Sequence, residues 1–238
     1  MVRLALLLVV LTTALPAQAG PRGEPRRPAL PRDALGVPMV RQPYTFDCGA
    51  SSLKSVAAYW GAYRGSLRQL YKVSNTRSSY GTLPEDILRG ARRLGLKATL
   101  KEHCTLRDLE RSLARKEPVL VQLQAWREAG SLPRAWRDRW DDGHYAVVIG
   151  MDRKNVYFMD PSAGERRAPE KTVRYSWVPR REFVQRWHEW DGEGSKVHHY
   201  DHPAFFISGE TPHPYPRGVL LKGSSAIKVP VRALERME

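Results

Sequence analysis

Gln42-Pro43-Tyr44-Thr45-Phe46-Asp47-Cys48-Gly49-Ala50-Ser51-Ser52-Leu53 is the stretch from which the fold of this chain can be read. Beyond Cys48 the apolar residues Leu53, Val56, Ala57 and Trp60 recur at helical spacing, which predicts a helix that opens at Cys48 and runs to about Tyr59. A helix N-terminus carries partial positive charge, and cysteine attacks as the thiolate, so the first turn is a favoured place for a reactive sulfur. Gln42, upstream of it, brings a side-chain amide that can donate to an oxyanion beside the backbone N–H of Cys48.

The partners such a sulfur needs lie far downstream. His144-Tyr145-Ala146-Val147-Val148-Ile149-Gly150-Met151 predicts a strand, Asp152-Arg153-Lys154-Asn155 a turn, and Val156-Tyr157-Phe158-Met159-Asp160 the returning strand, broken by Pro161. The hairpin brings His144 and Asp160 to one end of a sheet, where the carboxylate can hold the imidazole in its working tautomer. A symmetric tight turn would pair Asp160 with Val147 and put it on the wrong face, so the reading requires a bulge or an odd-length loop. Alone, a histidine at a strand start or an Asp-Pro after a strand is ordinary. The order Gln, Cys, His, Asp, each in a suitable local setting, points to thiol hydrolase chemistry.

Elsewhere helices precede the sheet. A short helix follows Ser66, and Thr82-Leu83-Pro84-Glu85 has the form of a capping box for a helix ending at Gly95. Leu96 to Leu100 suits a strand, Thr105 can cap a helix bearing Leu106, Leu109 and Leu113, and Pro118 to Leu123 is a buried strand. Trp126, Trp136 and Trp140 fall in an insertion before His144 and suit either edge-of-core packing or a binding wall. Phe183, Trp187 and Trp190 form a core-facing stripe on a helix starting near Arg180, and Ala204 to Ile207 is a closing strand.

Met1-Val2-Arg3, the apolar run Leu4 to Leu15 and Ala17-Gln18-Ala19 before Gly20 have the form of a removable secretory signal over residues 1–19. The apolar run is shorter than the roughly 20 residues that span a bilayer, so no integral membrane segment is expected after cleavage. Residues 20–36, rich in proline and arginine, form a linker, 37–208 one catalytic domain, and 209–238 a C-terminal extension with a short hairpin at Gly218 to Val229. The net charge of +14 falls by only one with the signal. Its basic residues are dispersed without a nucleic-acid motif, which leaves a solvated basic surface or weak attraction to an anionic envelope. An exported chain with two cysteines also admits a Cys48–Cys104 disulfide. His198, His199 and His202 lack a fourth matching ligand nearby, so no metal and no other cofactor is expected.

The Gln42 to Leu53 stretch, with His144 to Gly150 and Asp160-Pro161-Ser162, resembles the C39 family of papain-like cysteine peptidases, which includes the processing domains of bacteriocin exporters. The resemblance implies a papain-like α+β fold over residues 37–208, a helical half with the nucleophile packed on an antiparallel sheet with histidine and aspartate. It makes Cys48 the nucleophile, His144 the general base and acid, Asp160 its orienting partner, Gln42 the oxyanion donor and a peptide or protein the substrate. The exporters' domains are cytosolic, fused to a membrane and ATPase module, and cut after a double glycine. This chain's signal instead suggests a stand-alone exported protein, periplasmic or extracellular. A binding module that keeps the fold without turnover, a cell-wall amidase and a structural protein stapled through Cys48 are the other readings.

Overall fold

The computed structural model describes residues 28–125, 135–163, 175–191, 197–217 and 219–221. The helical half comprises α1 (Cys48–Tyr59), α2 (Leu67–Val73) and α3 (Pro84–Arg93). There follow β1 (Lys97–Lys101), α4 (Leu106–Ala114), β2 (Val119–Gln124), a 3-10 turn at Trp136–Asp138, β3 (Gly143–Met151), β4 (Asn155–Met159) and β5 (Ser176–Pro179). The last elements are α5 (Arg180–Arg186), β6 (His188–Asp191), β7 (His198–Asp201) and β8 (Ala204–Ser208). Among the described residues the main sheet has the order β1-β8-β2-β3-β4-β5 with every pairing antiparallel, and β6 and β7 form a separate hairpin.

Both faces of this sheet are covered, which is why β2 reads as a continuous run rather than an alternating one and is buried along its whole length. On one face Leu53, Val56 and Ala57 of α1 pack against Leu120, Tyr145, Val147 and Ile149. On the other, Leu109 of α4 and Phe183 of α5, with Trp187 just beyond it, cover Val121, Ala146, Val148 and Phe158. Helix α1 is central: every residue from Gly49 to Tyr59 is buried, and only Cys48 at its start is partly open. Its small residues allow that close packing, and Ser52 Oγ donates to the backbone carbonyl of Tyr145 at 3.2 Å, tying helix to strand.

Several local expectations change on folding. Thr105 caps α4 in a reciprocal box with Asp108, but α3 has Leu83 at its N-cap and no side-chain cap. Thr82 is diverted into a buried hydroxyl chain, 2.8 Å from Thr76 Oγ1, and Pro84 with the acidic Glu85 and Asp86 serves the first turn instead. Trp190 does not continue the stripe of Phe183 and Trp187. Helix α5 ends at Arg186, and Trp190 lies 43% exposed on β6. The closing strand β8 sits inside the sheet, between β1 and β2. His198 and His199 belong to strand β7 rather than a loop: His198 pairs with Glu102 and His199 packs on Trp140, while His202, just past β7, stacks on Trp187.

The ends of the domain reach further than the composition implied. Ala34 and Leu35, assigned to the linker, are buried, and Leu35 N–H donates to Ile149 O at 2.7 Å. The chain beyond 208 returns beside them, with Tyr215 N–H donating to Gly36 O at 2.8 Å and Leu221 N–H to Met39 O at 3.0 Å. The signal segment, Trp126 and the residues after 221 lie outside the described residues.

Candidate active site

Cys48 is the first residue of α1. Just before it, the buried Asp47 accepts a hydrogen bond from the Tyr71 hydroxyl and another from Tyr44 N–H at 3.2 Å, which closes the Tyr44 to Asp47 turn against the helix start. Gly49 lets the helix approach the sheet: a Cβ there would stand 2.9 Å from Thr82 Cβ and 3.2 Å from Tyr145 Cδ2. Any side chain larger than hydrogen would push the helix start, and Cys48 with it, away from the residue that follows His144.

The bulge that the hairpin needed is present. Strand β3 pairs Met151 with Val156 and Gly150 with Tyr157, then resumes with Val148 on Phe158 and Val147 on Met159, leaving Ile149 as the extra residue. Continuing that register sets Asp160 opposite Ala146, on the same face as His144. Nε2 of His144 lies 2.8 Å from Oδ1 of Asp160. The carboxylate is fully buried and also accepts from Ser162 N–H at 2.9 Å, Ser162 Oγ at 2.8 Å and Ser176 Oγ at 2.9 Å. The Asp-Pro-Ser turn therefore supplies part of its own carboxylate's solvation.

This environment separates the charge states of the pair. Burial acts to lower the basicity of His144, but the Asp160 carboxylate and then the Cys48 sulfur, which shares a hydrogen bond with the ring, overcome it and raise the imidazole to about 10. Asp160 moves the other way: burial opposes its ionisation, and His144 together with the Ser162 donors holds it below the usual carboxylate value. With Nε2 committed to Asp160, Nδ1 is the nitrogen left for the sulfur.

Cys104 contrasts with Cys48. Both thiols are free, which argues against the staple, but Cys104 is 1% exposed and its thiol is pushed up to about 11, chiefly by burial. Gln42 is held next to the site by its backbone, whose N–H donates to Pro161 O at 3.0 Å. Its Nε2 donates to Tyr44 O at 2.8 Å, which commits one of the two amide hydrogens, and Oε1 is buried without a partner. Gln42 is not among the residues that line the adjoining cleft.

That cleft, of about 390 Å³, opens between Cys48 and His144 and is walled by Phe46, Tyr80, Trp140 and Trp190. Of the three tryptophans of the insertion, Trp140 thus reaches the cleft, whereas Trp136 is buried beneath the Arg186 guanidinium. Gln122, Tyr145, Glu189 and Asp191 complete the floor. Glu189 and Asp191 gave no signal in the sequence, where they resemble surface acids on a continuing helix.

A buried His–Asp pair on an antiparallel sheet, facing a cysteine at the start of a central helix, defines the papain-like α+β class of cysteine peptidase folds. Residues 34–195 match the model of the Peptidase_C39 like family, and the chain belongs to that family. Its fold is similar to that of a C39-like peptidase from Bacillus anthracis, with a TM-score of 0.52 and 16% identity over 75% of this chain and 98% of that one. It is also similar to the peptidase domain of Streptococcus ComA, a bi-functional ABC transporter involved in quorum sensing, with a TM-score of 0.50 and 21% identity over 73% of this chain and 99% of that one. A search of curated proteins returned no match.

Proposed function

We propose that this chain is an exported cysteine peptidase that hydrolyses peptide bonds through Cys48. The observation that carries this reading is the continuous linkage from Asp160 through His144 to the sulfur, with the imidazole held as its cation at neutral pH. Beside this imidazolium Cys48 reacts as the thiolate, which attacks the scissile carbonyl carbon. The oxyanion so formed is met by the Cys48 backbone N–H, and Gln42, which keeps one Nε2 hydrogen beyond its bond to Tyr44 O, is assigned as the second donor once it turns to the cleft. His144 passes its proton to the departing amine as the C–N bond breaks, leaving a thioester on Cys48. The imidazole then takes a proton from water, the hydroxide adds to the thioester, and collapse releases the acid and restores the thiolate.

Export rests on the basic start, apolar run and small-residue cleavage pattern of residues 1–19, and no helix among the described residues is long and apolar enough to cross a membrane. The experiment is digestion of a diverse peptide mixture by the full chain and by Cys48→Ala, with new termini read by mass spectrometry. Cleavage confined to the wild type is the expected result. Equal cleavage by Cys48→Ala would remove the nucleophile assignment.

A further inference from the structure

The floor of the cleft differs in character from the rest of the protein. The chain carries 39 lysines and arginines against 25 acids, yet among the described residues Asp141, Glu189 and Asp191 line the cleft and no lysine or arginine does. Arg139, close in sequence, is paired with Asp142. The donors at the floor are already committed to those acids: Gln122 Nε2 to Asp191 at 3.3 Å, Gln124 Nε2 to Glu189 at 3.2 Å, and Trp190 N–H to Glu189 at 2.9 Å.

What is left is a set of acceptors. Gln122 is 2% exposed and Tyr145 5% exposed, both line the cleft, and neither Gln122 Oε1 nor the Tyr145 hydroxyl has a hydrogen-bond partner. Orphaned buried polar atoms are uncommon, and these two, at the wall of a cleft, are open to a partner that enters it. Gln122 and Tyr145 are cross-strand partners on one face of the sheet, and Gln124 and Gly143 are the next such pair along it. Gly143 belongs to the device, because a Cβ there would collide with the Glu189 carboxylate. Two carboxylates, an amide oxygen and a phenol, beside the nucleophile and one residue from His144, suit a group that donates only, as ammonium and guanidinium do.

We infer that Glu189 and Asp191, with Gln122 and Tyr145, form a specificity subsite for a cationic side chain, lysine or arginine, next to the scissile bond. The inference rests on the peptidase reading above and adds the substrate class. Burial chiefly, with Asp191 adding to it, pushes the Glu189 carboxyl up to about 8. It therefore holds a proton at neutral pH, and a cation beside it stabilises the ionised form.

The test compares N-acetylated peptides that differ at one position, arginine or lysine against citrulline or norleucine, by kcat/KM for the wild type, Glu189→Gln and Asp191→Asn. In parallel, the same peptides are titrated into full-length Cys48→Ala by calorimetry. The wild type is expected to favour the cationic peptides on the order of 10²-fold, since losing one partner of a buried charge pair costs several kcal/mol. That ratio should collapse towards one in Glu189→Gln, whose amide oxygen keeps one of the two acceptors that Gln124 and Trp190 use. Cleavage by the wild type without preference for a cation overturns the subsite and leaves the peptidase reading intact. If nothing is cleaved, the peptidase reading fails and the titration decides the subsite: tighter binding of the arginine than of the citrulline peptide supports it, equal binding overturns it.

Discussion

Replacing Asp160 by asparagine removes one charge while keeping the size of the side chain and an oxygen that can accept from His144. In the native site His144 stands at about 10 instead of 6.5, a rise that favours the imidazolium by several kcal/mol. That rise is net of burial, which acts against it, so the carboxylate and the sulfur together supply more. Without the carboxylate, burial is opposed by Cys48 alone and the ring falls back towards its ordinary value. The positive charge beside the sulfur, which favours the thiolate, is then largely lost. Alkylation by iodoacetamide reads this without knowledge of the substrate, because the thiolate is the reacting species. Wild-type Cys48, partly open at the helix start, should label at pH 6, while buried Cys104 stays silent. In Asp160→Asn, labelling of Cys48 at pH 6 should drop on the order of 10²-fold relative to the wild type. A folded Asp160→Asn that labels at the wild-type rate at pH 6 would refute the electrostatic account of the site.

The other predictions address groups around this pair. Gly49→Ala should lower thermal stability, by about 1–3 kcal/mol as for other overpacked sites, and reduce turnover together with it, because the new methyl presses on Thr82 and Tyr145; unchanged melting and rate would show that the contact yields freely. Gln42→Ala should lower kcat by roughly 10²- to 10³-fold without slowing alkylation of Cys48, since alkylation builds no oxyanion; a parallel fall in both would indicate a collapsed turn instead. Asp47 is raised from 3.8 to about 7, chiefly by burial, so the folded protein keeps a proton that the unfolded chain releases above about pH 4, and stability should decline between about pH 4 and 7. Asp47→Asn should flatten that decline, with a gain of up to about 4 kcal/mol over the wild type at pH 8 in denaturant titrations; parallel stability curves from pH 5 to 8 would contradict it.

Features with a local cause were legible before folding. The helix at Cys48 follows from apolar spacing, and the β3–β4 hairpin from two β-rich runs around an Asp-Arg-Lys-Asn turn, so two of the three residues of the candidate site, His144 and Asp160, could be placed at one sheet end from sequence. The geometry that joins them was not. Ile149 is an apolar residue among apolar residues, and nothing in its identity marks it as the bulge that moves Asp160 to the face of His144. Strands β6 and β7 are polar and short, and they exist because Trp190 pairs with His199 and Glu189 is tied to Gln124 across the fold. The acids of the cleft floor take their meaning from those tertiary contacts, so the sequence concealed them. Thr82 shows the opposite failure: a sound capping signal lost to a buried hydroxyl chain with a competing claim on the same oxygen.

The claim that Cys48 carries the acyl group is tested most directly by acid-quenching the full chain during turnover of a cleaved peptide and measuring its intact mass and tryptic map. A thioester on Cys48, absent in Cys48→Ala and released by hydroxylamine, is the result this account predicts. Peptide cleavage with no acyl adduct at Cys48 under any quench, undiminished in Cys48→Ala, would contradict it.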